Sequence, residues 1–155
     1  MNLAQHLEKV ARYEALMERL DAFRDFELWV WVAMSSGTNV LNAALHAAGI
    51  TSDRACYPVR PNRYMVPGAS PGTWTQEEGP LGDVLHVDVP AIEAALPTAL
   101  ERACEALRVI EDARDPCVRG LREITPELAT ACEAAYRDCI EATKPILEER
   151  LGGAG

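Results

Sequence analysis

The sequence lacks long apolar runs, paired cysteines and any resemblance to a secretory signal. Its longest apolar run, Leu28 to Met34, is far too short to cross a bilayer, which excludes a spanning helix. The five cysteines include no C-x-x-C pair, which argues against a disulfide framework and a structural zinc site. The amino-terminal residues are charged and amphipathic, unlike a signal peptide. These absences predict a soluble, cytoplasmic protein that does not associate with membranes.

A positive charge balance is also missing. The chain has 24 acidic and 15 basic residues, for a formal net charge of −9. Such a surface repels phosphate backbones, so broad electrostatic binding of nucleic acid is not expected. With 155 residues, of which 48% are hydrophobic, the chain fits a single domain with a packed core. We expect that domain to cover residues 1–150 and residues 151–155 to be a disordered tail.

Four segments carry helical periodicity, and together they predict an all-α fold, an antiparallel four-helix bundle. The first segment is amphipathic, whereas the second is apolar nearly all round and should be the most buried. Gly49 suits the end of the second helix, and Thr125 suits the start of the fourth. The segments are Leu3 to Leu20, Phe23 to Ala48, the stretch that follows Asp88, and Thr125 to about Arg150.

The third helix has proline near its predicted start and again within it. Asp88 is a good N-cap residue with Pro90 in the first turn, and Pro97 should kink the helix. The apolar faces of three predicted helices should meet in one core, which we expect to contain Ile92, Leu96, Leu107 and Ile110 packed on Leu7, Val10 and Leu128.

The connection from Thr51 to Asp88 is too long for a structureless loop inside a compact domain. It contains five prolines and four glycines, but also enough apolar side chains to pack on the helices. We therefore predict an ordered Ω-like excursion. A short hairpin in it could pair Arg63 to Val66 with Leu85 to Val89.

A stripe of polar side chains follows one face of the second helix. Its residues are spaced by four, three and four positions, which places them within about 60° of arc. The stripe could face solvent, line a cleft under the long loop, or form the seam of a dimer. Its members, called the helix-two stripe below, are Ser35, Asn39, Asn42 and His46.

The first part of the long loop is locally cationic. Three arginines stand there against Asp53, and three aromatic residues offer stacking surface. These side chains predict a site for a small anionic, nucleotide-like ligand. Alternatively, the arginines pair with acids on the first and third helices and hold the loop down. The residues are Arg54, Arg60, Arg63, Tyr57, Tyr64 and Trp74.

Residue sets for catalysis are not recognisable. No serine or cysteine has a base and an acid at an informative spacing, no glycine-rich phosphate loop is present, and no cofactor is expected. A weak metal-ligand set, Asp83, His86 and Asp88, falls within six residues. Alternatively, Asp88 only caps the third helix and His86 hydrogen-bonds locally.

Several short segments together resemble the HEPN superfamily of helical bundles. The second helix ends Asn42-Ala-Ala-Leu-His-Ala-Ala-Gly49, the third ends Ile110-Glu-Asp-Ala-Arg114, and the fourth opens Ile124-Thr-Pro-Glu-Leu128 after Val118-Arg-Gly120. Members of that superfamily are often dimers. Its ribonucleases carry an arginine followed a few residues later by a histidine, and no histidine follows Arg114 here. The resemblance therefore implies a non-catalytic member.

These observations predict a non-enzymatic helical module. It would form a homodimer and bind a partner protein or a small anionic ligand near the second helix and the long loop. The alternative is a small enzyme acting on a nucleotide or RNA, with His46 or His86 as the acid or base.

Overall fold

The computed structural model describes residues 1–60, 62–84, 92 and 95–152. Within them the protein is mostly helical, as predicted, but it is not purely all-α, because a small antiparallel sheet separates the second and third helices. No helix in this part of the chain is both long and apolar enough to cross a membrane. The elements are α1 (Leu3–Met17), α2 (Phe26–Ala47), β1 (Tyr57–Arg60), β2 (Arg63–Pro67), β3 (Trp74–Glu78), α3 (Thr98–Val118) and α4 (Pro126–Gly152).

Helix α2 contacts each of the other three helices. Helices α3 and α4 pack on each other and on α2, and α1 packs along α2. This central position explains why α2 is apolar nearly all round. The predicted core is confirmed as one cluster: Val10, Leu107 and Ile110 are buried in it, and Leu7, Ile92, Leu96 and Leu128 pack against it.

The helix ends follow local signals in the sequence. Asn2 and Gln5 form a reciprocal capping box at the start of α1. Gly49, predicted to end α2, has a φ of +70°, a conformation that glycine adopts without steric cost. Thr125 caps α4, since its Oγ1 accepts a hydrogen bond from the Leu128 N–H at 3.2 Å.

The predicted kink at Pro97 is wrong, because α3 begins at Thr98 and Pro97 immediately precedes it. A proline disfavours helical geometry in the residue before it, so Leu96 resists inclusion in the helix. The N-cap and first-turn positions predicted at Asp88 and Pro90 lie outside the described residues. At the other end of the chain, α4 extends through Gly152, two residues beyond the predicted end of the domain at residue 150.

The sheet has β2 in the middle, antiparallel to β1 on one side and to β3 on the other. Tyr64 and Val66 of β2 are buried, and the residues between and around them are more exposed, as the period of two in a strand requires. The hairpin predicted between Arg63 to Val66 and Leu85 to Val89 is wrong, because both edges of β2 are occupied. Residues 85–89 themselves lie outside the described part of the chain.

The long excursion between α2 and α3 closes on itself near its base. The Ser52 N–H and hydroxyl both donate to the Leu81 carbonyl oxygen, at 3.2 and 2.8 Å. An ordered excursion is therefore confirmed over its described residues. Its closure returns the chain at Asp83 to the carboxyl-terminal half of α2, which it left at Ala47.

Candidate metal centre

Three side chains from distant parts of the sequence converge between α1, α2 and the end of the excursion. His6 Nε2 and His46 Nε2 each lie 3.0 Å from the same oxygen, Asp83 Oδ1. The three potential ligand atoms lie within 4.8 Å of one another. We call this group the His-His-Asp cluster.

Asp83 is held on both sides by its neighbours in the chain. The Tyr64 hydroxyl donates to the Gly82 carbonyl oxygen at 3.2 Å, and the Val84 N–H donates to Asn42 Oδ1 at 2.7 Å. Gly82 can pass this close to Cys56, the residue before β1, because it has no Cβ, which would collide with Cys56 Sγ. The carboxylate of Asp83 is thus positioned by the backbone as well as by its own contacts.

The hydrogen-bond partners of His6 fix which ring nitrogen carries its proton. Asn39 Nδ2 donates to the Ser35 carbonyl oxygen at 2.7 Å, so Asn39 Oδ1 faces His6 Nδ1, 2.9 Å away. An amide oxygen can only accept, hence His6 Nδ1 carries a proton. In neutral His6, Nε2 then presents a lone pair to Asp83 Oδ1, which is also an acceptor. This arrangement requires a proton or a cation between the two atoms.

His46 has a similar arrangement with a more adaptable partner. Its Nδ1 lies 2.8 Å from the Thr51 hydroxyl, which can donate or accept a hydrogen bond. Thr51 is buried just beyond the Gly49 cap of α2. His46 can therefore present either an Nε2–H or an Nε2 lone pair to Asp83.

Asp83 is kept ionised by its surroundings. Its partial burial would raise the pKa, but hydrogen bonds from His46, His6 and the ammonium of Met1 outweigh that effect. The pKa of Asp83 therefore lies well below its ordinary value of 3.8. The Met1 nitrogen lies 2.8 Å from the second carboxylate oxygen, Oδ2.

The cluster is buried on its histidine side and partly open at the carboxylate. The side chains of His6 and His46 are 1% and 6% exposed, whereas that of Asp83 is 21% exposed. A groove of about 1160 Å³ adjoins the cluster and has His46 and Thr51 in its lining. Its other walls come from the amino-terminal ends of α1 and α3 and the carboxyl-terminal end of α4.

The donor atoms suit a divalent transition metal ion. Two imidazole nitrogens and a carboxylate oxygen are common ligands of zinc and of its neighbours in the first row. Ligands of a tetrahedral ion with bonds of about 2.0–2.1 Å are separated by roughly 3.4 Å, so the 3.0 Å contacts need only widen slightly. The remaining nitrogen of each imidazole is already hydrogen-bonded, as is usual for metal-ligating histidine.

Most of the helix-two stripe contributes to this region. Asn39 orients His6, Asn42 holds Val84, and His46 belongs to the cluster itself. Ser35 takes part through its carbonyl oxygen, which accepts from Asn39. Of the three interpretations of the stripe, its contacts match the cleft under the long loop.

Five of the six loop residues predicted to bind an anion lie on the sheet, and Arg54 precedes β1. Arg54 pairs with Glu77 at 2.6 Å, and Arg63 pairs with Glu78. Their partners are thus acids of β3, not acids of the first and third helices. Among the described residues, Arg60 has no ion-pair partner. Tyr57 and Trp74 are half exposed, with ring centroids 5.2 Å apart, whereas Tyr64 is buried.

The sequence reasoning missed His6. It paired Asp83 with His86 and Asp88, both of which lie outside the described residues. A signal for His6 was present, since it falls on the apolar face of α1 beside Val10, the other buried residue of that helix. A histidine at such a position needs a buried hydrogen-bond partner.

Comparison with known proteins adds no assignment to this geometry. No family model, no curated protein and no solved structure matches the chain.

Proposed function

We propose that this protein binds one divalent first-row transition metal ion through His6 Nε2, His46 Nε2 and Asp83 Oδ1. The observation that carries the proposal is the convergence of both Nε2 atoms on one carboxylate oxygen, 3.0 Å away in each case. The proposal departs from the sequence-based expectation that the protein has no cofactor. It retains Asp83 from the predicted metal set and His46 from the helix-two stripe.

The competing occupant of the cluster is a proton. Because His6 Nδ1 already donates to Asn39, a metal-free cluster requires a second proton between His6 Nε2 and Asp83 Oδ1. A metal ion would displace that proton and use neutral His6 as a ligand, with Asn39 as the outer hydrogen-bond partner. The chemistry of the donor atoms supports the metal ion, since both Nε2 atoms already point at the carboxylate oxygen of Asp83.

Metal binding can be tested directly on protein prepared without a histidine tag. We expect calorimetric titration with Zn²⁺ to give one site per chain. His6→Ala, His46→Ala and Asp83→Ala should each weaken binding by more than about 100-fold, since even outer-shell partners contribute about 10- to 100-fold. His86→Ala is the matched control and should bind Zn²⁺ as the wild type does.

The control also separates the structural cluster from the set predicted by sequence. Loss of binding in His86→Ala with retention in His6→Ala would replace the proposed ligands with the sequence set. Absence of stoichiometric Zn²⁺, Co²⁺, Ni²⁺, Mn²⁺ or Fe²⁺ binding by the folded wild type would refute the proposal.

A second candidate function is self-association, which was predicted from the sequence. We propose it on the exposed apolar side chains at the start of α2, where Leu28 and Trp31 are 53% and 41% exposed and Phe23 is also exposed. An antiparallel four-helix bundle of the HEPN kind, often dimeric, would fit this surface.

All five cysteines are unpaired thiols, which favours the reducing cytoplasm as the compartment.

The helix-two stripe, predicted as a possible dimer seam, is a weaker reason for self-association than the exposed patch. The carboxyl-terminal half of α2 is covered within one chain, so a second subunit is not needed there. Light scattering at micromolar concentration should give twice the 16.9 kDa mass of the chain. Leu28→Lys should then yield the monomer, whereas a monomeric wild type would contradict the proposal.

A further inference from the structure

We infer that the metal ion in the His-His-Asp cluster keeps an exchangeable coordination position, which takes a small carboxylate from the adjoining groove. This inference rests on the proposed metal binding and adds the class of ligand. It makes the site one that binds or acts on small molecules, in contrast to a closed structural site.

The number of protein ligands supports an open position. Among the described residues, the only group of histidine, cysteine and acidic side chains arranged to hold a metal contains three members. Structural zinc sites are closed by four protein ligands, whereas sites with three keep a position for water or substrate. Asp83 is the partly exposed member, so solvent reaches the cluster on its side.

The charge of the cluster favours an anion in that position. Two neutral imidazoles and one carboxylate offset one of the two positive charges of the ion. The Met1 ammonium adds further positive charge, 2.8 Å from Asp83 Oδ2. A carboxylate or hydroxide would neutralise the excess charge, whereas a neutral ligand would leave it in a partly buried site.

The groove sets the size and the charge of the ligand. At about 1160 Å³ it has room for a small molecule, and it reaches the cluster at His46. Asp53, Glu149 and Arg150 also line it, so the walls carry more negative than positive charge. Such walls repel highly charged anions, such as polyphosphates and nucleic acid, more strongly than a singly charged anion.

Cobalt provides a readout that separates metal binding from ligand exchange. Co²⁺ occupies zinc sites and absorbs visible light in a manner that depends on its coordination. We expect Co²⁺ to bind the wild type with one ion per chain, and acetate to change the visible spectrum saturably. Inorganic phosphate, which is partly dianionic at pH 7, should bind more weakly than acetate.

Two variants that fill the groove test its part in ligand access. Ala4 and Ala48 are exposed residues of the groove lining, and Ala11 is an exposed residue of α1 outside that lining. Ala4→Phe and Ala48→Phe should weaken acetate binding at least about tenfold, a difference of about 1.4 kcal/mol. Their Co²⁺ affinity should stay near that of the wild type. Ala11→Phe, two turns along α1, should change neither quantity.

The outcomes distinguish the two proposals. A folded wild type that binds no Co²⁺ refutes the metal site itself. Binding of Co²⁺ with a spectrum unaffected by acetate leaves the metal site standing and overturns the exchangeable position. Acetate binding that is equally tight in Ala4→Phe, Ala48→Phe and Ala11→Phe overturns the groove as its route, and tighter binding of phosphate overturns the assigned ligand class.

Discussion

The amide of Asn39 determines the chemistry of His6. Its Nδ2 donates to Ser35 and thereby turns Oδ1 towards His6 Nδ1, which must carry a proton. The imidazole is then oriented with Nε2 towards Asp83. One buried side chain on α2 thus sets both the tautomer and the direction of the His6 imidazole on α1.

Replacement of Asn39 should therefore weaken metal binding without removing a ligand. Asn39→Leu has a similar volume but leaves the N–H of His6 without its acceptor. We expect the Zn²⁺ dissociation constant, measured by calorimetric titration, to rise about 10- to 100-fold. An unchanged constant in a folded variant would show that Asn39 does not orient His6.

Thr38 provides a matched control beside Asn39. It is fully buried on the same helix, and its hydroxyl has no hydrogen-bond partner among the described residues. Thr38→Val keeps the shape and removes an unsatisfied polar group, so it should leave Zn²⁺ affinity unchanged and not lower the stability.

Helix α2 combines two different surfaces. The helix-two stripe lies on one face and makes polar contacts with α1 and with the end of the excursion. Another face meets α3 and α4 through small apolar residues, and Gly37 lies there against Leu107 and Cys139. A Cβ at position 37 would collide with Leu107 Cδ2, so the absence of a side chain permits the close approach of α3.

This contact predicts strong coupling between positions 37 and 107. Leu107 is fully buried, and Leu107→Ala should cost about 2 to 5 kcal/mol of stability. Gly37→Ala should cost about 1 to 3 kcal/mol from overpacking, despite the better helix propensity of alanine. In the Leu107→Ala background the same substitution should become neutral or stabilising. Urea unfolding of the four proteins measures this cycle, and additive effects would contradict the contact.

The sequence predicted helix ends, which depend on neighbouring residues, more accurately than it predicted contacts between distant segments. Gly49 and Thr125 marked helix ends correctly, because a cap depends only on neighbouring residues. The pairing of β2 was predicted wrongly, because periodicity shows that a strand can form but does not identify its partner. Pro97 was placed inside α3 because the apolar period continues through it.

The candidate site was predicted in fragments for the same reason. The polar stripe was identified on one helix, and Asp83 was identified as a possible ligand. Only the fold brings His6 to Asp83, since these residues are 77 positions apart in the chain. The predicted metal set contained close neighbours in sequence, whereas the cluster joins three separate elements.

At the scale of the whole molecule, the cluster links α1, α2 and the end of the excursion. These segments are also joined by the contacts of Asn42 with Val84 and of Ser52 with Leu81. The meeting of His6, His46 and Asp83 closes two long loops, residues 6–46 and 46–83, and this closure costs chain entropy. A ligand that binds only the closed form opposes that cost. Metal binding would therefore stabilise the whole fold as well as the local site.

The size of that effect can be stated for a given metal concentration. Free Zn²⁺ at 100 times its dissociation constant should add about 2.7 kcal/mol to the free energy of unfolding. For a chain of 155 residues, this corresponds to a rise in Tm of roughly 5 to 11 °C. Calorimetric melting should show the rise with Zn²⁺ and its reversal by EDTA.

The His6→Ala and His46→Ala double variant should melt at the same temperature with and without the ion, because its remaining carboxylate cannot hold the metal alone. An equal rise in that variant would mean that Zn²⁺ stabilises the protein from another site.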